Sequence, residues 1–265
     1  MSTTTTSKLR IRPALAHEGS ALAKVAAAAF VNDPFDSYMY PARKEHYRSY
    51  QRIYQQKLDA HINQSLCWVM VAEVITQVHD KDGKISYEGS APAAYAIWTR
   101  ESSRKRKHTQ RRLEALGLRD PTADVSFTQR LKKRVMKYGL AETFRDTSSK
   151  PVMDRKGFGT FWRGLGDSDS DNSSEPDSDS EPDEYWHLQD LGVAPEFRRR
   201  GAARALLSWG QDWARKENVP ILLEATPMGK SLCEGAGFLQ YDTWEWGDKP
   251  DMAWHMMRWQ PSVAA

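Results

Sequence analysis

One strand–turn–helix unit constrains this chain more than any other stretch. An apolar, aromatic-rich run from Tyr185 to Val193 reads as a strand. A helix follows from Gly201 to about Glu217, with Ala205, Leu206, Trp209 and Trp213 at helical spacing on its apolar face. Between them lies a tight basic turn, in which Arg198, Arg199, Arg200 and Arg204 surround the small residues Gly201, Ala202 and Ala203. Small residues let a ligand approach the backbone, and successive N–H groups at a helix start cradle an anion. Basic residues normally favour the C-terminus of a helix, because of its dipole. Four arginines at an N-terminus oppose that preference unless an anion sits among them. The physical reading is a phosphate or pyrophosphate site, and a solvated basic turn is its structural alternative.

A resemblance becomes specific at these residues. The pattern Arg198-x-x-Gly201-x-Ala203, preceded by Val193-x-Pro195, resembles motif A of the GNAT superfamily of N-acetyltransferases. Downstream, Leu223-Glu224-Ala225-Thr226-Pro227, then Leu232-Cys233-Glu234-Gly235-Ala236-Gly237-Phe238, is similar to a later motif of that family, a strand followed by a short helix ending in Gly-Phe. The opening strand, the Ala-rich helix and Asp33-Pro34 resemble GNAT proteins of the fungal type. The resemblance covers most of the chain outside residues 101–184. It implies an α/β (α+β) fold with a mixed, largely antiparallel sheet flanked by helices. It also implies acetyl-CoA as co-substrate, with no metal.

The resemblance further implies roles for single residues. The backbone near Leu191, Gly192 and Val193 would meet the thioester and the pantetheine arm. The stretch Phe197, Arg198, Arg199, Arg200, Gly201, Ala202, Ala203 would wrap the pyrophosphate, with Thr226 close to the pantetheine. Strand parity puts Tyr185, His187, Gln189 and Leu191 on one face. His187 matches the position of a catalytic glutamate in histone-type members, and an imidazole has an ordinary pKa of about 6.5, suited to a base. A histidine hydrogen-bonded within the sheet is the alternative. Glu73 and Glu224, on neighbouring strands, are candidates to act through water. Cys233 stands where the family places a tyrosine that protonates the thiolate leaving group, and a thiol is a weak donor.

Composition bounds the rest. Residues 167–184 hold nine Asp and Glu and no Lys or Arg, so removing them from a net charge of +3 leaves +12 for the remainder. The two cysteines, Cys67 and Cys233, form neither a disulfide framework nor a metal-ligand pattern. The start has no apolar core of a signal peptide, and the apolar helix over 21–31 is too short to span a bilayer. The expectation is a cytoplasmic protein without membrane contact. The basic run 104–112 also admits nuclear import or nucleic-acid contact, but it lacks an interleaved aromatic motif, and nucleic acid is not the expected partner.

Residues 1–8 read as a disordered polar tail, and 9–261 as a single GNAT-like domain with an insertion over 101–184. Strands are expected over 9–13, 66–78, 85–100 (broken near Ala91-Pro92), 185–193 and 221–225, with a closing hairpin from 239–246 and 252–259. Helices are expected over 17–31, 42–63, 201–217 and from Thr226 and Pro227 onward, where threonine caps and proline suits the first turn. Within the insertion, one basic helix should end near Gly117, a second should span 126–138, and Phe158, Phe161, Trp162 and Leu165 should pack on the body. The tract 167–184 cannot bury enough apolar surface to order itself.

The leading expectation is an acetyl-CoA-dependent N-acetyltransferase acting on a primary amine of a small molecule. A protein lysine or N-terminal acetyltransferase and a catalytically weak acyl-CoA-binding regulatory protein are the alternatives.

Overall fold

The structure is a computed structural model that describes residues 4–80, 82–103, 106–121, 182–245 and 252–262. Seven strands form one sheet: β1 (Thr4–Pro13), β2 (Cys67–His79), β3 (Ile85–Ser102), β4 (Glu184–Val193), β5 (Ile221–Ala225), β6 (Leu239–Glu245) and β7 (Ala253–Trp259). Their order is β1-β2-β3-β4-β5-β7-β6. Every neighbouring pair is antiparallel except β4 and β5, which run parallel.

Alternation along each strand divides the core in two. Trp68, Met70 and Ala72 of β2 point to one face with Ala94, Ala96 and Trp98 of β3, and that face is covered by α4 (Arg106–Ala115) and α5 (Ala202–Glu217). Cys67, Val69 and Val71 point to the other face with Tyr95 and Ile97, beneath α1 (Gly19–Phe30) and α3 (Tyr47–Ile62). A short α2 (Pro34–Met39) follows α1, and α6 (Pro227–Glu234) follows β5. Gly210 sits where α5 crosses β3. A Cβ there would lie 2.4 Å from the Trp98 ring, so only glycine permits this close approach.

Several expectations change. The polar tail read over 1–8 is strand from Thr4 onward, because its backbone pairs with β2 from His79 to Ile75 whatever its side-chain polarity. The break at Ala91-Pro92 is a bulge: Ala72 pairs Ala94 while Glu73 pairs Pro92, and β3 continues past it. The end of the acidic tract is ordered. Glu184 opens β4 and pairs with Arg100 at 2.7 Å and Arg112 at 3.0 Å. On α5 the buried line is Leu206, Leu207, Gly210 and Ala214, and Ala205, Trp209 and Trp213 flank it half-buried. The helix expected over 126–138, the 158–165 aromatics and the rest of the acidic tract lie outside the described residues.

A buried ion network fixes the frame at the start of β4. Arg100 and Glu217 are both fully buried and meet at 2.9 Å. Trp186 Nε1 donates to the same Glu217 carboxylate at 2.8 Å. Buried charges are tolerated only when partnered, so this network locks α5 against β3 and β4.

Candidate active site

The site begins where two strands part. β4 and β5 pair only over Trp186–Ile221, His187–Leu222 and Leu188–Leu223. Beyond that, β4 runs on to Val193 and β5 to Ala225 without pairing, which opens a wedge with the unpaired edge of β4 as one wall.

A bulge shapes that wall. Ile97 pairs Asp190 and Trp98 pairs Leu188, so Gln189 has no partner on β3. The extra residue reverses the alternation that the parity argument extended along the strand. Gln189 still reaches the α3 face, as His187 does, but Leu191 and Val193 pack on the α5 side. Leu191 therefore does not share a face with His187, and Asp190 takes the α3 face instead.

His187 and Glu224 meet across the wedge. His187 Nε2 lies 2.9 Å from Glu224 Oε2, and the two side chains are 23% and 34% exposed. With Nε2–H donating to the carboxylate, Nδ1 is the basic nitrogen. Tyr185 packs edge-on to the imidazole at 6.3 Å. The structure thus joins two residues that the sequence presented as separate candidates.

Gln189 is a bridge. Its Nε2 donates to Thr99 Oγ1 at 3.2 Å, and its Oε1 lies 2.9 Å from His61 Nε2. His61 Nδ1 lies 2.7 Å from the Lys57 carbonyl and so donates to it. Burial pushes the His61 pKa down, against the Lys57 carbonyl and Gln189, which pull it up. Asp190 accepts from Lys57 at 2.7 Å and from the Tyr95 hydroxyl at 3.0 Å. Beneath α2, the buried Asp36 accepts from the Tyr50 hydroxyl and from Tyr54 at 2.6 Å, and burial raises its carboxyl to about 6. Phe35 of α2 packs on Trp254 of β7 at 4.7 Å, so α2 reaches across to the far side of the sheet. The sequence reading missed His61, Lys57, Asp190 and Asp36. Tyr50, Tyr54, Lys57 and His61 are spaced three or four apart, the one pattern in the sequence that puts them on a shared helix face.

The turn after β4 has the form expected of an anion cradle. A 3-10 turn spans Pro195–Phe197, then Arg199 (φ +62°) and Gly201 (φ +84°) take left-handed backbone. No side chain caps α5, and nothing lies within 4 Å of the place a Gly201 Cβ would fill. The start of α5 is left without a side-chain cap, and these residues fit a pyrophosphate. Arg198 has another task. Its guanidinium donates to the Ala29 carbonyl at 3.0 Å and to Val193 at 3.4 Å, pinning the turn to the end of α1. Arg199, Arg200 and Arg204 are exposed around the helix start, and Arg200 lies over the Phe197 ring at 5.6 Å. Thr226 caps α6 by accepting from Gly229 N at 3.3 Å.

Two candidates are placed elsewhere. Glu73 lies level with Pro92, past the end of β4, and is held by Arg10 at 2.5 Å and Arg12 at 3.2 Å. Its hydrogen bonds to Arg12 come first in holding its carboxyl down to about 2, so it is a locked structural anion rather than a base. Cys233 is 6% exposed within the α5-side core, and burial raises its thiol to about 11. Among the described residues no group of three or more His, Cys, Asp or Glu is placed to hold a metal, and no helix is long and apolar enough to cross a membrane.

Comparison with known proteins places the fold. Residues 168–228 match the model of the Acetyltransferase (GNAT) family. A search of curated proteins returned no match. Among solved structures, the chain is similar to histone acetyltransferase HPA2 and related acetyltransferase from Corynebacterium glutamicum, with a TM-score of 0.51 at 15% identity, covering 97% of this chain and 98% of that one. It is also similar to a Drosophila melanogaster polyamine N-acetyltransferase, with a TM-score of 0.47, 12% identity and coverage of 96% and 100%. A mosquito arylalkylamine N-acetyltransferase-like protein gives 0.46, 13%, 96% and 100%. The matched segment resembles the GNAT acetyltransferase family, and the overall fold is that of the Corynebacterium acetyltransferase structure.

Proposed function

We propose that this protein transfers the acetyl group of acetyl-CoA to the primary amine of a small molecule. The observation that carries the reading is the His187–Glu224 pair at the point where β4 and β5 separate. Acetyl-CoA supplies an activated acyl group. The protein's own residues supply the rest. The uncapped amides at Ala202 and Ala203 hold the pyrophosphate, and the unpaired β4 edge over Gln189–Val193 presents backbone donors to the thioester end. His187 Nδ1 takes the amine proton as the new C–N bond forms, while Glu224 orients the ring and stabilises the imidazolium. The C–S bond breaks, and the CoA thiolate is protonated from solvent, because the buried Cys233 thiol is a poor donor.

A small acceptor is the leading reading and a peptide the alternative. A second reading, an acyl-CoA binder with weak catalysis, is favoured by Cys233 at the position of the family's tyrosine. The test is CoA release on mixing with acetyl-CoA and an amine panel of polyamines, amino acids, aminoglycosides, aromatic amines and peptides. Turnover with small amines supports the transferase, and tight CoA binding without turnover supports the binder.

A further inference from the structure

A cavity of about 240 Å³ lies at the end of β3, between the connection from α3 to β2 and the start of α4, lined by Gln64, Ser65, Thr99, Glu101 and Arg106 among others. Strand register fixes its position. Thr99 sits opposite His187, and Glu101 sits opposite Tyr185, two residues further along β3. Two residues of strand span about 7 Å. The cavity is smaller than a typical drug-sized pocket, so it takes a polar fragment rather than a whole ligand.

Its charges are specific. Glu101 is partly buried, and its carboxylate makes no hydrogen bond or ion pair among the described residues. Arg106 donates from Nε and Nη2 to Ser65 at 3.0 Å each, which aligns the guanidinium on the cavity wall and leaves Nη1 for another acceptor. Arg100, by contrast, is consumed by Glu217 and Glu184. Leu66, also in the lining, holds left-handed backbone at φ +57°, with its amide fixed by Asp120 at 3.1 Å. A carboxylate and a guanidinium in one small polar cavity match a group carrying both an ammonium and a carboxylate.

We infer that this cavity binds the head group of an α-amino acid whose second, terminal amine reaches His187. The inference rests on the acetyl-transfer reading. In the step it implies, the terminal amine forms the C–N bond and gives its proton to His187, the C–S bond of acetyl-CoA breaks, and CoA leaves. Glu101 holds the α-ammonium, and Arg106 holds the carboxylate. The span of about 7 Å from Thr99 to Glu101 is the reach of a lysine side chain.

The experiment is a calorimetric titration of lysine, norleucine and pentylamine into the CoA-saturated protein, paired with steady-state acetylation assays. Lysine should bind at least about tenfold more tightly than pentylamine, which lacks the head group. Glu101→Gln should remove that advantage, raising the lysine KM with kcat nearly kept and leaving pentylamine unchanged. Arg106→Gln should weaken lysine and norleucine alike. Equal binding of lysine and pentylamine, or a Glu101→Gln protein that still prefers lysine, overturns the head-group site. Acetylation of pentylamine without preference for lysine sinks this site and leaves acetyl transfer standing. Lysine binding that depends on Glu101, without CoA release from any amine, upholds the site and sinks acetyl transfer.

Discussion

His187 donates from Nε2 to the Glu224 carboxylate at 2.9 Å, just where β4 and β5 stop pairing with each other, after Leu188 and Leu223. The bond closes the base of the wedge and sets the tautomer of the imidazole. His187→Ala should therefore lower kcat by about 10²-fold or more with CoA affinity intact. Glu224→Gln should cost less, because the ring keeps a partner but loses the negative charge. Steady-state kinetics on both variants checks this, and an unchanged kcat in His187→Ala assigns the base elsewhere.

Gly201 carries the cradle. Its φ of +84° and the open space before it make the backbone accessible where α5 begins. Gly201→Glu puts bulk, negative charge and a strained backbone at one point, and CoA affinity measured by calorimetry should be lost in a folded protein. An affinity equal to wild type would move the pyrophosphate site away from this turn.

Glu73 predicts an acid transition. Its folded pKa of about 2 lies below the ordinary value of about 4.3 for a glutamate. Such a group contributes stability that is fully present above the ordinary value and is lost as pH falls through the folded one. Thermal melts of wild type should lose stability between about pH 4 and pH 2. Glu73→Gln should be less stable at neutral pH and should show a shallower loss across that window.

The acidic tract and its last residue should behave oppositely. Replacing 168–181 with a Gly/Ser linker is expected to leave the melting temperature nearly unchanged, because that tract has no large apolar side chains. Glu184→Gln should destabilise by roughly 1–3 kcal/mol, because it weakens a charged bond to the fully buried Arg100. Chemical denaturation of the two variants separates them.

Cys233 is a packing residue in this account. Cys233→Ala should change kcat by less than about tenfold, and Cys233→Tyr should destabilise by about 1–3 kcal/mol, because the site is already filled. A hundredfold loss in Cys233→Ala, with CoA affinity intact, would make its thiol the leaving-group acid.

Much of this was legible before the structure. The strand–turn–helix at 185–217, the cap at Thr226 and the closing hairpin follow from local rules, and local rules survive folding. The bulge at Gln189 was not legible, because it depends on register against Trp98, some ninety residues earlier in the chain. That one insertion sends Leu191 to the opposite face and brings Asp190 to Lys57. Glu73 reads as a free acid until Arg10 and Arg12 from β1 close on it. Asp33 lies between α1 and α2 and starts α2 by accepting from Phe35 N and Asp36 N, a use that its place before Pro34 permits but does not dictate. The His61–Gln189–Thr99 chain joins three elements, and pairings of that kind exist only after the sheet forms.

The most direct test of the central claim is mass-spectrometric detection of N-acetylated amine, with parallel CoA release, in wild type, His187→Ala and Gly201→Glu. The account predicts acetylated product from at least one small primary amine with wild type. It predicts a loss of about 10²-fold or more in His187→Ala with CoA still bound, and no CoA binding in Gly201→Glu. Wild type that binds CoA and acetylates none of the amines, or a His187→Ala protein that acetylates as fast as wild type, would contradict it.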